Sequence, residues 1–461
     1  LGEYHQAFKN SYFFSEFGYT AGYKQTSTAK RSGEKSHFFG KFVKNFFGKN
    51  GSENSFSFSY QDTSNDKYLK LYQIESNLVD YNTTSLESSF NFTHENDDIF
   101  VGVNASMYET LKDTYNDKYE YILPEITLDK NLFSDDKNGN LDLQTNFKVH
   151  NYDTNRLTSF FINDFNWNSK EIFSDLGIKN QLLANVKNIN YESKNVDPYK
   201  NDFTSELFGA IGLMTELNLE KDLGLYKHFL TPKIFLRYSP GSMRQEDAGS
   251  RLKAINAFDI NRLDNINNFE TGLSAAFGFD YQIDKSNKSL DFSVAQILNE
   301  KENKKMSDKS SMNEKLSDLV GSANFELNNK FNLNYNFAID QNYSDFNYNE
   351  IGTSINLGSM NLDFNYLQEN KHIGNQDYFK TKIGLKNKDN GLFAFETKRN
   401  LITNSAEFYN LSYEYVNDCL RAGLVYRREF YNDSEIEPEN SLMFKITLTP
   451  FGDINSPTFS K

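Results

Sequence analysis

Residues 331–339 read Phe-Asn-Leu-Asn-Tyr-Asn-Phe-Ala-Ile, and this period of two is the strongest constraint on the fold. Successive side chains of an extended strand point to opposite faces. Phe331, Leu333, Tyr335, Phe337 and Ile339 therefore share one face, and Asn332, Asn334 and Asn336 share the other. The same alternation recurs at Phe56–Phe58–Tyr60, Ile99–Val101–Val103–Ala105–Met107 and Leu362–Phe364–Tyr366. It returns at Leu411–Tyr413–Tyr415, Leu420–Ala422–Leu424–Tyr426 and Leu442–Phe444–Ile446–Leu448. No long stretch carries a helical period. The most apolar run, Leu207 to Met214, is far short of the ~20 residues a membrane-crossing helix needs.

The segments between these runs are rich in Asn, Asp, Ser, Lys and Gly. Ser134–Asn140, Asp284–Ser289 and Lys386–Gly391 read as tight turns, whereas Asn299–Ser317 and Pro240–Arg251 read as long polar loops. Short turns at one end and long loops at the other suit a membrane barrel. A spanning strand of ~9–11 residues plus a comparable connection implies on the order of 20 strands in 461 residues. An open sheet of that size would expose aggregation-prone edges, which closure removes. The expected fold class is all-β, a large antiparallel transmembrane barrel. There is no repeat of fixed period and no linker dividing the chain, so residues 1–461 read as one barrel domain.

Composition agrees. Phe 42 and Tyr 28 against Pro 7 favour strands over disorder, and the mean hydropathy of −0.68 is low because only alternate residues would meet lipid. A net charge of −14 argues against nucleic acid as a partner. The histidines His5, His37, His94, His150, His228 and His372 form no metal-ligand spacing, and no nucleophile elbow or phosphate-binding glycine loop is present. Asp135–Asp142 vaguely resembles a calcium loop but lacks its sixth-position glycine and distal Glu, so it reads as a turn. Trp167 and the tyrosines are candidates for interfacial girdles. No catalytic, cofactor or metal site is assigned, and an enzyme is not expected.

Four segments together resemble the C-terminal barrel domain of the LPS-assembly family LptD, also called organic solvent tolerance proteins. The first is Leu123–Pro124–Glu125–Ile126 with Leu128. The second runs from His228–Phe229–Leu230–Thr231–Pro232 to Arg237–Tyr238–Ser239–Pro240. The third begins at Phe258–Asp259 and continues through Asn261–Arg262–Leu263 and Glu270–Thr271–Gly272 to Phe277–Gly278–Phe279–Asp280–Tyr281, with Phe292–Ser293–Val294–Ala295–Gln296 after it. The fourth is Asp418–Cys419 followed by Gly423–Leu424–Val425–Tyr426–Arg427–Arg428. Each is weak alone; their order over Phe56–Pro450 is more specific.

The resemblance implies a barrel of about 26 strands, of which about 20 are expected here, with the N-terminal jellyroll and the first strands absent. The first residue, Leu1, suggests a piece of a longer precursor. The implied function is insertion of lipopolysaccharide into the outer leaflet of the bacterial outer membrane through a lateral seam. The implied partners are lipopolysaccharide, an LptE-like plug lipoprotein and a periplasmic LPS-bridge protein acting through the N-terminal domain. The last strand at the seam would be Ser441, Leu442, Met443, Phe444, Lys445, Ile446, Thr447, Leu448 and Thr449, its partner strand lying outside the sequence. Many members carry two adjacent cysteines near the C-terminus. Here Asp418 occupies one position, and Cys419 is a disulfide candidate toward the N-terminal region, with a free thiol as the alternative. Alternation alone also admits a porin, a TonB-dependent receptor or a secreted β-rich surface protein. The tail Pro450–Lys461, where a simple porin would end on an aromatic residue, favours the LptD-like reading.

Overall fold

The computed structural model describes all residues except 22–23, 26–29, 32–33, 49–50, 73, 75, 113–117, 153–154, 248–250, 286–287, 329, 372–373, 388–390, 418–419, 430–439, 449–451, 456–458 and 461. The chain is almost entirely antiparallel β-structure. It divides into two compact units. Unit 1 comprises residues 1–170, 182–211 and 267–269; unit 2 comprises 171–181, 212–266 and 270–461. No helix among the described residues is long and apolar enough to cross a membrane.

Unit 1 carries β1 (Gly2–Ala7), β2 (Ser11–Thr20), β3 (Lys35–Phe47), β4 (Glu53–Thr63), β5 (Ser85–Glu95), β6 (Ile99–Thr110), β7 (Tyr119–Asp135), β8 (Gly139–Tyr152) and β9 (Arg156–Asn168). Most of β10 (Ile178–Lys194) and the first half of β11 (Thr204–Leu217) also belong to it. From β1 to β10 each strand pairs antiparallel with the next in sequence. Asp135 closes the tight β7–β8 turn by accepting hydrogen bonds from the backbone N–H groups of Lys137 (2.8 Å) and Asn138 (2.6 Å), and Gly139 supplies φ +85°. The turn is built by an aspartate side chain mimicking backbone geometry. Trp167 stands at this end and donates its indole N–H to the Asn138 carbonyl at 2.8 Å.

Unit 2 carries β12 (Lys227–Ser239), β13 (Gly272–Lys285), β14 (Lys288–Asn299), β15 (Leu319–Leu327), β16 (Phe331–Ile339), β17 (Phe346–Asn356) and β18 (Met360–Glu369). It continues with β19 (Gln376–Lys386), β20 (Gly391–Asn400), β21 (Ser405–Val416), β22 (Leu420–Glu429) and β23 (Asn440–Leu448). These too pair antiparallel in chain order. The connections at one end are tight: β13–β14, β15–β16, β17–β18 and β19–β20 turn within a few residues. At the other end lie residues 240–271 and 300–318, so the long segment expected over Pro240–Arg251 extends twenty residues further. Strands of 9 to 14 residues from β12 onward meet the ~9–11 residues needed to cross a bilayer at a tilt.

The N-terminal strands depart from the alternation pattern. In β3, Phe38 is exposed and Phe39 is fully buried, although they are adjacent and face opposite sides. The loop after β4, with the short helix Tyr68–Tyr72, folds onto the side bearing Phe39 and builds a small core with Tyr68, Leu69, Ile74, Val79, Leu86 and Leu111.

Candidate functional site

The sheet in unit 2 has two chemically distinct faces, and the register shows it strand by strand. Directly opposed residues of an antiparallel pair share a face. Tyr335 stands opposite Ala323 and Ile351, Ile351 opposite Tyr366, and Tyr366 opposite Phe379. The other face places Asn334 opposite Asn324 and Gly352, and Gly352 opposite Asn365, which is opposite Lys380. The apolar face stays uncovered: Leu424, Leu442 and Phe444 are each more than two-fifths exposed. The polar face is knit by side chains, with Asn336 donating to Glu350 (3.2 Å), Ser354 to Asp363 (3.0 Å) and Lys380 paired to Glu396 (2.8 Å). Near the tight-turn end a groove of about 430 Å³ is lined by Glu326, Asn332, Ser354, Asn361 and Asp363. Among the described residues no group of His, Cys, Asp and Glu could hold a metal ion.

At the opposite end, residues 251–262 fold back onto the polar face. Their root is an ion cluster. Arg262 donates from Nε to Glu270 Oε2 at 2.7 Å and from Nη2 to Oε1, and it reaches Ser274 Oγ at 2.9 Å. Arg237, projecting from β12, donates to the Ile260 carbonyl at 2.6 Å and to the Glu270 carbonyl, with 4.0 Å between its Nη1 and Glu270 Oε1. The side chains of Arg262, Arg237 and Glu270 are 0 %, 1 % and 5 % exposed. Burial alone would raise the Glu270 carboxyl. The guanidiniums of Arg262 and Arg237 and the hydrogen bonds from Arg262 outweigh it and hold the group below its ordinary value. Phe258 lies on Gly278: a Cβ at that glycine would fall 2.9 Å from the Phe258 ring. Further along, Arg251 pairs with Glu369 at the end of β18 and stacks over Tyr348, its guanidinium 3.9 Å from the ring centre. The second long connection packs on the first: the Glu246 N–H donates to the Lys305 carbonyl at 2.8 Å, and Asn303 reaches Met243 Sδ at 3.2 Å.

The third quoted motif thus acquires a physical meaning. Arg262 and Glu270 are its ion pair, Gly272 adopts φ +122° where the loop enters β13, and Gly278 leaves room for Phe258. Arg237, Arg262 and Glu270 were quoted as motif letters without a role, and the pairing of Arg251 with Glu369 was not anticipated. The available signal was the pair Arg262 and Glu270 inside one motif; their burial was not visible.

The strand anticipated at Ser441–Thr449 is observed at Asn440–Leu448, with Thr449 outside the described residues. Its inner edge pairs with β22 from Leu420 to Arg428. Its other edge pairs with Gly452–Asn455, where Ile454 stands opposite Ile446, and with Phe459–Ser460. Cys419 and its neighbour Asp418 lie outside the described residues.

An antiparallel sheet with one face greasy and exposed and the other wet and hydrogen-bonded defines a transmembrane β-barrel protein of the outer-membrane class. The family model LptD, LPS transport system D, matches residues 40–415, and the chain belongs to that family. The family is one of lipopolysaccharide transport at the outer membrane, not of enzymes. The matched stretch contains Arg237, Arg262 and Glu270 and ends before Cys419 and β23. No curated protein matches the chain.

Proposed function

We propose that this chain inserts lipopolysaccharide into the outer leaflet of the outer membrane through a lateral seam bounded by β23. The observation that carries this reading is the chemical division of the sheet. Lipopolysaccharide has an acylated half that belongs in lipid and a saccharide half that belongs in water. A barrel wall with an uncovered apolar face and a polar face bearing Asn334, Asn336, Glu350, Lys380 and Glu396 suits both, provided that the wall parts along one line. β23 is the natural line. One edge is held along its whole length by β22, whereas among the described residues the other meets a four-residue and a two-residue segment. In this reading a small plug lipoprotein of the LptE kind occupies the polar interior. In the same reading a periplasmic LPS-bridge protein delivers the cargo.

The test is site-specific photo-crosslinking in living cells with the full-length protein. A photoreactive residue at Leu442 or Phe444, on the apolar face of β23, is expected to capture lipopolysaccharide during export. The same residue at Tyr335, on the apolar face of β16, is expected to capture much less. Equal adducts at all three positions, or none at β23, would remove the seam from the route.

A further inference from the structure

We propose that Arg399 and Arg428 form an anion-binding site on the lipid-facing side of the sheet, at its long-loop rim, that holds the phosphates of a newly inserted lipopolysaccharide.

The register places both arginines on the greasy face. Arg399 in β20 is opposite Phe379, and Arg428 in β22 is opposite Tyr409. Directly opposed residues share a face. Phe379 continues the apolar row of Tyr335, Ile351 and Tyr366. Tyr409 lies two residues from Leu411, which is opposite Phe395 and Tyr426. The neighbouring cations are placed differently. Lys380 and Lys398 stand on the polar face and pair there with Glu396 and Glu407, each at 2.8 Å. The described partner of Arg399 is a neutral amide: its Nη2 donates to Asn404 Oδ1 at 2.5 Å. Arg428 is exposed. A carboxylate on the same face, Asp377, is opposite Gln368, on the side away from β23.

Both arginines sit at the rim. Each is the penultimate residue of its strand, β20 ending at Asn400 and β22 at Glu429, at the end of the sheet that carries the long connections. In a barrel of this class that end meets the outer leaflet. A guanidinium on the lipid face is costly at the bilayer midplane and nearly free at the interface, where headgroup phosphates lie. Paired N–H groups suit a phosphate.

The spacing and the surface below them select the occupant. Arg399 and Arg428 are two strands apart and offset by about two residues, so strand spacings of ~4.8 Å and a rise of ~3.4 Å put their Cα positions about 12 Å apart. That suits a headgroup with two separated phosphates better than one with a single phosphate. Toward the tight turns on the same face, Tyr409, Leu411, Tyr413, Leu424 and Tyr426 are each more than a third exposed. Cations at the rim above an uncovered apolar strip match an acylated, phosphorylated saccharide seated with its headgroup outward. β22 pairs with β23, so the site lies one strand from the proposed seam. The arrival of the lipid from β23 rests on the export reading above; its retention at the rim does not.

The experiment titrates the purified full-length protein, in nanodiscs of phosphatidylcholine, with bisphosphorylated lipid A. Each basic residue at a membrane surface contributes about fivefold to binding of an anionic lipid, so Arg399→Gln with Arg428→Gln is expected to weaken it roughly tenfold or more. Arg399→Lys with Arg428→Lys keeps both charges and should lose less. Heat-modifiable gel mobility checks that each variant is folded. Equal binding by the parent and the glutamine variant overturns the site, as does phosphatidylglycerol binding the parent as tightly as lipid A. If the glutamine variant does not fold, the parent alone decides: it should prefer the bisphosphorylated lipid to its monophosphoryl form, and indifference overturns the site. A photoreactive residue at Tyr409 fixes the position, and no lipid A captured there overturns it too. Capture at Tyr409 with no adducts at β23 during export supports the rim site and counts against the seam.

Discussion

Arg262 and Glu270 face each other through two hydrogen bonds, one of 2.7 Å, at the point where the loop after β12 turns into β13, and neither side chain is more than 5 % exposed. A buried ion pair is not by itself a strong source of stability, because both partners are desolvated. Removing one partner is costly, because the other charge is left behind. Arg262→Ala is therefore expected to destabilise the folded barrel by about 3–5 kcal/mol. Arg262→Lys should recover only part of this, since an ammonium cannot make the two-pronged contact. Urea unfolding in lipid vesicles measures both. Equal stability of the lysine variant and the parent would show that the fork geometry is irrelevant.

The same carboxylate predicts an acid dependence. The folded Glu270 titrates below its ordinary value of 4.5, so protons bind it more weakly in the folded state than in the unfolded one. Its contribution is complete above that ordinary value and is lost as the pH falls from there through the lowered folded value. Thermal unfolding of the parent is expected to drop in this acidic window. The difference between the parent and Glu270→Gln isolates the contribution, and it should shrink as the pH falls. A difference that is constant from neutral pH down to pH of about 3 would mean that Glu270 carries no depressed titration.

Much of the sheet was legible because alternation survives wherever one face is wet. The turns read at Ser134–Asn140 and Asp284–Ser289 fall where β7–β8 and β13–β14 reverse, and the strand expected at Ser441–Thr449 is observed over Asn440–Leu448. The strands before Phe56 were not legible, for a physical reason. In Ser11–Thr20 and Lys35–Phe47, phenylalanines occupy both sides: Phe17 and Phe38 are uncovered, whereas Phe14 and Phe39 are buried on the opposite face. When a folded loop makes both faces apolar, the period of two disappears. The ion cluster was hidden for a related reason. Arg237, Arg262 and Glu270 were visible as letters of a motif, but ordinary polar loop residues look the same until the loop folds onto the sheet. Arg251 and Glu369 are 118 positions apart, a pairing that no local pattern reports.

Gly278 offers a packing test of that fold-back. A Cβ there would meet the Val294 backbone carbonyl and lie 2.9 Å from the Phe258 ring. Backbone cannot retreat as a side-chain end can, so Gly278→Ala is expected to cost about 1–3 kcal/mol through overpacking. Adding Phe258→Ala should recover the share owed to the ring and leave the share owed to the carbonyl. A Gly278→Ala barrel within about 0.5 kcal/mol of the parent would show that Phe258 does not seat on β13 as described.

The assignment of faces can be tested with two adjacent residues. Tyr335 and Asn334 sit at the middle of β16, share the same backbone environment and differ only in the side to which they point. If the apolar face meets hydrocarbon, Tyr335→Arg places a guanidinium near the bilayer midplane, at a cost of about 2–4 kcal/mol. Asn334→Arg adds the same charge to a face that already carries Lys380 and Glu396, where water solvates it, and is expected to be nearly neutral. Folding into vesicles across a urea series compares the two directly. Equal penalties would mean that the two faces see the same solvent. A larger penalty at Asn334 would invert the wall, placing the phenylalanine and tyrosine rows inside the barrel and the asparagines against lipid.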